Sequence, residues 1–364
     1  MMSDAVVTKS PVVVVGPSEP GTPTGTISLS SFDKVQIPIP MALLLVFDEP
    51  IDDPAETIKK ALSRALVPYY PMAGRLVAGA DDDVYLNISC TGEGVPFVAA
   101  SASCALEQAM TAPSMGLLRE LTVRYPGELC RLSDALLLMQ VTEFTCGGFV
   151  VGVTWNHVMA DGAGIAQFLQ AVGELARGMG APSVAPVRSG ATIPPIPTPV
   201  VAALRSQMQV LTEELASLDV TIPSGLISRV KAECGGDCTT FEVVAAAVAG
   251  AEIRDLVKLI KGHADILDLL MDAGVASGND LGRLMSSPRY HAIAVSSWQK
   301  LGLEATDLGR GKPARVMWQP EKAVGFFCVV CPPCKGEDGV NVLSRCVTPE
   351  HAEAFLRELA ALDM

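Results

Sequence analysis

The chain has 364 residues, with 40 acidic side chains against 27 basic ones and a formal net charge of −13. That length suits two domains of moderate size, and the acidity argues against a role on nucleic acid or anionic membrane, both polyanions. With apolar residues at 49% and charged ones at 18%, the composition excludes wholly disordered and fibrous chains.

The ten cysteines are scattered, which predicts reduced, half-buried thiols in a cytoplasmic protein. The apolar run 12–15 is too short for a signal peptide, and the runs 41–47 and 243–251 are too short to span a bilayer.

In chain order, residues 1–25, with many Pro, Gly, Ser and Thr, predict an extended lead-in. Asp53-Pro54-Ala55-Glu56 starts a helix: an Asp cap, Pro at the first helical position and Glu three residues after the cap. Ile58, Leu62, Ala65 and Leu66 give its apolar stripe, and Pro68 stops it. Segments 74–78 and 84–89 predict a hairpin around Asp81–Asp83. Residues 136–145 and 149–155 read as two buried strands joined by Cys146-Gly147-Gly148. From Gly164, the residues Ile165, Phe168, Leu169, Val172 and Leu175 recur at helical spacing until Gly178. Residues 156–162 therefore join a strand end to a helix start.

Residues 181–223 are Pro-rich and predict a linker containing one helix near 203–217. The expected organisation is a first domain over 1–185, a linker over 186–220 and a second domain over 221–364. In the last, Thr239-x-x-Glu242 is a capping box. Ile253, Leu256, Val257, Ile260, Ile266, Leu267 and Leu270 continue a helical pattern, and 292–298 and 324–330 read as strands. Thr348-Pro349 opens a final helix with Phe355, Leu356, Leu359 and Leu362 inward. No internal repeat is visible.

The candidate chemistry is His157-Val-Met-Ala-Asp161-Gly162. A loop at a strand end presents a side chain while the strand holds it still. The positive end of the following helix disfavours a protonated imidazole, which suits a general base. Asp161 suits an architectural anion that pairs with a cation and fixes the turn. On the residues alone, a catalytic and a structural histidine stay equally open. Cys331-Pro-Pro-Cys334, with Cys234 and Cys238, has the spacing of a thiolate metal site, but its prolines equally suit a turn. His263, His291 and His351 have no motif support.

The segment Gln140–Gly164, QVTEFTCGGFVVGVTWNHVMADGAG, resembles the signature of the plant BAHD acyl-CoA-dependent acyltransferases. Leu29-Ser-Ser-Phe-Asp33, Tyr69-Tyr-Pro-Met-Ala-Gly-Arg-Leu76, Gly92-Glu-Gly-Val-Pro-Phe97, Ser296-Ser-Trp-Gln-Lys-Leu-Gly302 and Asp307-Leu-Gly-Arg-Gly-Lys-Pro313 resemble further family segments in family order. The resemblance implies an α/β fold of two chloramphenicol-acetyltransferase-like domains, each a mixed sheet flanked by helices. It implies transfer of an acyl group from acyl-CoA, a co-substrate, to a small-molecule alcohol or amine acceptor. His157 would be the general base; Asp161, Gly162, Asp307, Gly309 and Gly311 would be structural. Lys231, Thr239 and Thr240 match positions that commonly help to bind coenzyme A, against the plainer reading of a solvated lysine and a helix cap. It further implies no metal, no tightly bound cofactor and a cytoplasmic monomer of secondary metabolism. Asn156, where condensation domains usually carry a second histidine, favours the BAHD reading.

Two departures stand out. Leu308 and Arg310 replace the Phe and Trp of the family's Asp-Phe-Gly-Trp-Gly. A block of strands that the family carries beyond Ala249 has no counterpart near Gly250, which shortens the second domain and leaves Asp307 without its usual Arg. An inactive, shortened member that binds a ligand or partner is the alternative function.

Overall fold

The computed structural model describes residues 5–79, 86–111, 113–187, 201, 214–236, 238–249, 293–319 and 326–361. The helical pattern from Ile253 to Leu270, the junction at Gly250, His263 and His291 lie outside the described residues. So does most of the helix expected near 203–217, whose end at 214–217 is non-helical.

The elements to the end of the His157 region are β1 (Val7–Lys9), β2 (Val13–Val15), β3 (Gly25–Ser28), α1 (Ser31–Val35), β4 (Pro40–Phe47), α2 (Pro54–Ala65), β5 (Arg75–Ala78), β6 (Leu86–Cys90), β7 (Val95–Ala102), α3 (Leu106–Thr111), α4 (Met115–Glu120), β8 (Leu137–Glu143), β9 (Phe149–Asn156) and α5 (Gly162–Ala176). Then follow β10 (Leu218–Ile222), α6 (Ser224–Glu233), α7 (Thr240–Ala249), β11 (Ile293–Ser297), β12 (Arg315–Trp318), β13 (Phe326–Cys331), β14 (Val340–Arg345) and α8 (Ala352–Ala361).

These elements form two units. The first is built on a seven-stranded sheet in the order β1-β7-β8-β9-β4-β12, with β2 also on β7. β7 and β8 run parallel and the other pairs antiparallel. β9 is buried along its whole length, which explains its unbroken apolar run: a central strand covered on both faces loses the in–out alternation. α2 and α5 pack together and bury Ile58, Leu62, Ile165, Phe168, Leu169 and Val172. On the other face the chain after α4 approaches so closely that a Cβ on Gly152 would lie 2.1 Å from the Leu121 carbonyl oxygen. A side chain there is excluded.

The first 25 residues do not form a plain extended lead-in. β1 and β2 pair with β7, and β3 pairs with β6. The open edges of β7, for β1 and β2, and of β6, for β3, give their backbone groups partners. Because these added strands stay half exposed, with Val12, Val13 and Val14 outward, no apolar alternation marks them. β5 and β6 form the expected antiparallel pair; the turn at 81–83 is not among the described residues.

The second unit carries a four-stranded sheet, β10-β14-β13-β11. α6 and α7 cover a core of Leu226, Val230, Val243, Val244, Cys328, Val330 and Val342. The capping box opening α7 forms as expected: Glu242 N–H donates to Thr239 Oγ1 at 3.2 Å and Thr239 N–H to Glu242 Oε2 at 2.6 Å. In α8, Phe355 packs on this core, but Leu356 is 39% exposed rather than inward. A 3-10 turn over Pro349–His351 precedes the helix and sets its phase, so Phe355 and Leu359, four apart, share a face. Leu362 lies outside the described residues.

Residues 300–319, placed by the sequence inside the 221–364 domain, belong instead with the first unit. The physical reason is β12, which completes the first sheet by antiparallel pairing with β4 from Arg315↔Val46 to Trp318↔Leu43.

Candidate active site

Five residues connect β9 to α5, and the backbone around them is held at each step. Asn156 N–H donates to the Leu136 carbonyl at 2.9 Å and His157 N–H to the Ile39 carbonyl at 3.0 Å. The buried Asn156 side chain accepts the Val158 N–H at 3.1 Å, and its carbonyl accepts the Met159 N–H at 2.9 Å. Trp155, with no exposure, donates its indole N–H to the Ala160 carbonyl at 2.9 Å. One side chain at the strand's end thus ties down the far end of the loop.

Asp161 is the N-cap of α5, accepting the Gly164 N–H at 2.8 Å. The partner it takes is this backbone donor rather than the expected cation. The cap satisfies an otherwise orphan helix N–H and so fixes where α5 starts, with Gly162 as its first residue.

His157 is half-buried, and its Nδ1 is buried with no side chain in hydrogen-bond geometry among the described residues. Burial holds its pKa below the usual histidine value; the negative charge of Asp161 and the residue's own backbone carbonyl pull the other way without winning. Desolvation disfavours the charged ring and so favours the neutral imidazole. Burial acts in the same direction that the sequence reading gave to the helix end.

The remaining sites lie elsewhere. Asp307 Oδ1 accepts the N–H groups of Gly309 at 2.8 Å and Gly311 at 3.0 Å. Both glycines have positive φ, +143° and +129°, where a side chain would strain the turn. Arg177, at the end of α5, donates to the Asp307 carbonyl and stands 3.8 Å from its carboxylate. Arg177 is a different arginine from the one that the family's missing block was expected to take away, and it stands beside Asp307 from the end of α5. Burial pushes the Asp307 carboxyl up, but the Gly309 and Gly311 donors, Arg177 and Lys312 together bring it below the ordinary value. A Cβ on Gly173 would lie 2.5 Å from the Asp307 carbonyl, so this turn docks on the C-terminal half of α5. His157 precedes the N-terminus of that helix, about 20 Å away along the axis at 1.5 Å per residue. Asp307, Gly309 and Gly311 are thus not gathered around His157. Leu308 is buried and Arg310 exposed, so the first replacement keeps an apolar filling and the second sits on the surface.

In the second unit Lys231, on α6, donates to Thr240 Oγ1 at 2.9 Å. Thr239 and Thr240 stand at the start of α7, and the Thr239 hydroxyl is occupied by Glu242. The structure brings these three together, with no carboxylate against Lys231 among the described residues. Cys334 N–H donates to Asn341 Oδ1 at 3.3 Å, a contact across the connection from β13 to β14. Among the described residues no three His, Cys, Asp or Glu side chains are grouped to hold a metal. His351 is exposed. The sequence reading missed the Trp155–Ala160 tie, the Ile39 contact and Arg177. All three are tertiary pairings with no periodic signature; only Trp155, at the strand's end, had a position that hinted at one.

Comparison with known proteins gives this geometry a family. Residues 5–220 match the family model described as Transferase family. Acyl transferase 15 of Oryza sativa subsp. japonica is 37% identical over 98% of both chains. A myricetin 3-O-glucosyl 1,2-rhamnoside 6'-O-caffeoyltransferase of Crocosmia x crocosmiiflora is 29% identical over 97% of this chain and 98% of its own. The rice alignment runs over 433 positions against 98% of 364 residues, so about 76 positions stand opposite gaps in this chain. The crystal structure of vinorine synthase superposes with a TM-score of 0.77 at 19% identity, covering 98% of each chain. F. graminearum TRI101, complexed with coenzyme A and T-2 mycotoxin, gives 0.62 at 14%, covering 91% of this chain and 96% of its own. The mixed sheets flanked by helices in both units are the expected two-domain, chloramphenicol-acetyltransferase-like fold. On the matched family model and the rice relative, the chain belongs to the Transferase family of plant BAHD acyltransferases.

Proposed function

We propose that the protein transfers an acyl group from acyl-CoA to the hydroxyl or amine of a small acceptor, with His157 as general base. The observation carrying this is the half-buried imidazole, whose charged form burial disfavours, on a loop braced at Asn156, Trp155 and Asp161. A neutral ring nitrogen takes the acceptor's proton as the nucleophile attacks the thioester carbonyl. The tetrahedral oxyanion, stabilised by hydrogen-bond donors, collapses and expels the CoA thiolate, which the imidazolium can reprotonate. Nδ1 is buried, so the other ring nitrogen does this. Acyl-CoA enters as a co-substrate; TRI101, a structural neighbour, has been crystallised with coenzyme A. Lys231 and the start of α7 at Thr239-Thr240 offer it a cation and a helix N-terminus. No metal and no tightly held cofactor take part in this scheme, and the protein works as a cytoplasmic monomer.

The test is CoA release by the purified protein from acetyl-CoA and benzoyl-CoA, against aromatic and terpenoid alcohols and amines. Turnover that falls at least about 100-fold in His157→Ala supports the reading; unchanged turnover removes it. A second reading, a shortened member without turnover, is favoured by the roughly 76 unmatched positions. No CoA release from any donor by a folded wild-type protein would select it.

A further inference from the structure

The second unit carries a chain of polar side chains that acyl transfer leaves unused. β13 and β14 pair so that Cys328 stands opposite Ser344, and Cys346, two residues on, continues the same face. Cys328 Sγ donates to Ser344 Oγ at 3.3 Å, and Ser344 Oγ lies 2.9 Å from Cys346 Sγ. The inner end, Cys328, has no exposure. The outer end, Cys346, is half-buried and, like Phe355 of α8, packs against the core of the second unit.

A single negative charge shared along such a chain settles at the end that water reaches, because desolvation penalises it at the other. Cys328 therefore stays a thiol and donates. The Ser344 hydroxyl has one proton; having accepted from Cys328, it passes its own donation outward to Cys346. Hydrogen bonding from Cys328, reinforced by Ser344 against the opposing effect of burial, holds the Cys346 thiol down at about 7. Cys328 is the titratable side chain acting on it; the other contributors are Ser344 and the backbone. A half-buried thiol with a lowered pKa beside a second cysteine is the setting in which thiols react selectively.

We propose that Cys346 is a thiol modification site that takes low-molecular-weight disulfides of the glutathione class. The Cys346 thiolate attacks one sulfur of the disulfide. A new S–S bond forms, the old one breaks, and the second half leaves as a thiolate, with no net redox change.

The test is pulse alkylation of the full chain with iodoacetamide across about pH 5 to 10, read per cysteine by peptide mass spectrometry. The expected midpoint for Cys346 is near pH 7. Cys328→Ala and Ser344→Ala each move it toward the ordinary thiol value of about 8.5, whereas Cys328→Ser, which keeps a donor, leaves it low. Oxidised glutathione then gives one adduct at Cys346, absent in Cys346→Ser. A wild-type midpoint at or above about 8.5, a midpoint indifferent to Cys328→Ala, or glutathionylation that spares Cys346 overturns the proposal. If Ser344→Ala does not fold, the Cys328 pair alone decides.

Discussion

At the residue scale, His157 depends on neighbours that never touch a substrate. Trp155 holds the Ala160 carbonyl. Trp155→Phe keeps most of the apolar volume and removes the donor, leaving a carbonyl in a tight loop unpaired. We expect kcat to fall about tenfold while KM for acyl-CoA stays within about twofold, because the ring is misplaced by a fraction of an ångström. Steady-state kinetics with a melting curve checks this; a proportionate rise in KM alone would contradict it. Asp161→Ala removes the α5 cap and is expected to cost about 1 kcal/mol of stability, measured by urea denaturation. The histidine's place between strand and helix was legible because β9 is an unbroken apolar run and α5 carries a helical stripe. Its pKa was not, since burial is a property of the packed chain. Arg177 was likewise invisible: a sequence places it in the last turn of a helix but does not say which carboxylate will meet it.

At the scale of elements, β8 and β9 were readable because a buried strand is uniformly apolar, α2 and α5 because a core-facing helix has a 3.6-residue stripe, and α7 by its capping box; the inner strands β4 and β7 were not read as strands. The edge strands β1, β2 and β3 were not, since half-exposed edges carry no such pattern. In α8 Phe355 and Leu359 are partly buried as expected, whereas Leu356, one residue round the helix, is exposed. Leu356→Ala is accordingly expected to cost under about 0.5 kcal/mol, against about 1–3 for Phe355→Ala, by urea denaturation. Comparable losses would contradict the phase described here. The Asp307 turn joins two elements distant in sequence. Asp307→Ala leaves the Gly309 and Gly311 N–H groups without their acceptor and is expected to cost about 1–3 kcal/mol, discounted toward the lower value because the carboxylate is about a third exposed. Its folded pKa is depressed, so that contribution is present above about pH 4 and lost as pH falls through the folded value.

At the scale of the molecule, the chain keeps both units of its family while aligning with gaps of about 76 positions to a full-length relative. The first unit retains the braced loop, and β12 returns from beyond the second unit's early elements to complete its sheet. Sequence order hides that return, which is why residues 300–319 were assigned to the wrong unit: a strand's partner is set by pairing across the sheet rather than by proximity along the chain. The most direct test of the whole account is the pH dependence of kcat/KM for CoA release. With burial depressing the His157 pKa, the profile should be flat through neutrality and fall only below the ordinary histidine value of about 6.5, and this acid limb should vanish in the residual activity of His157→Ala. An acid limb at or above 6.5, or one that persists unchanged in the variant, would contradict a neutral His157 as the base.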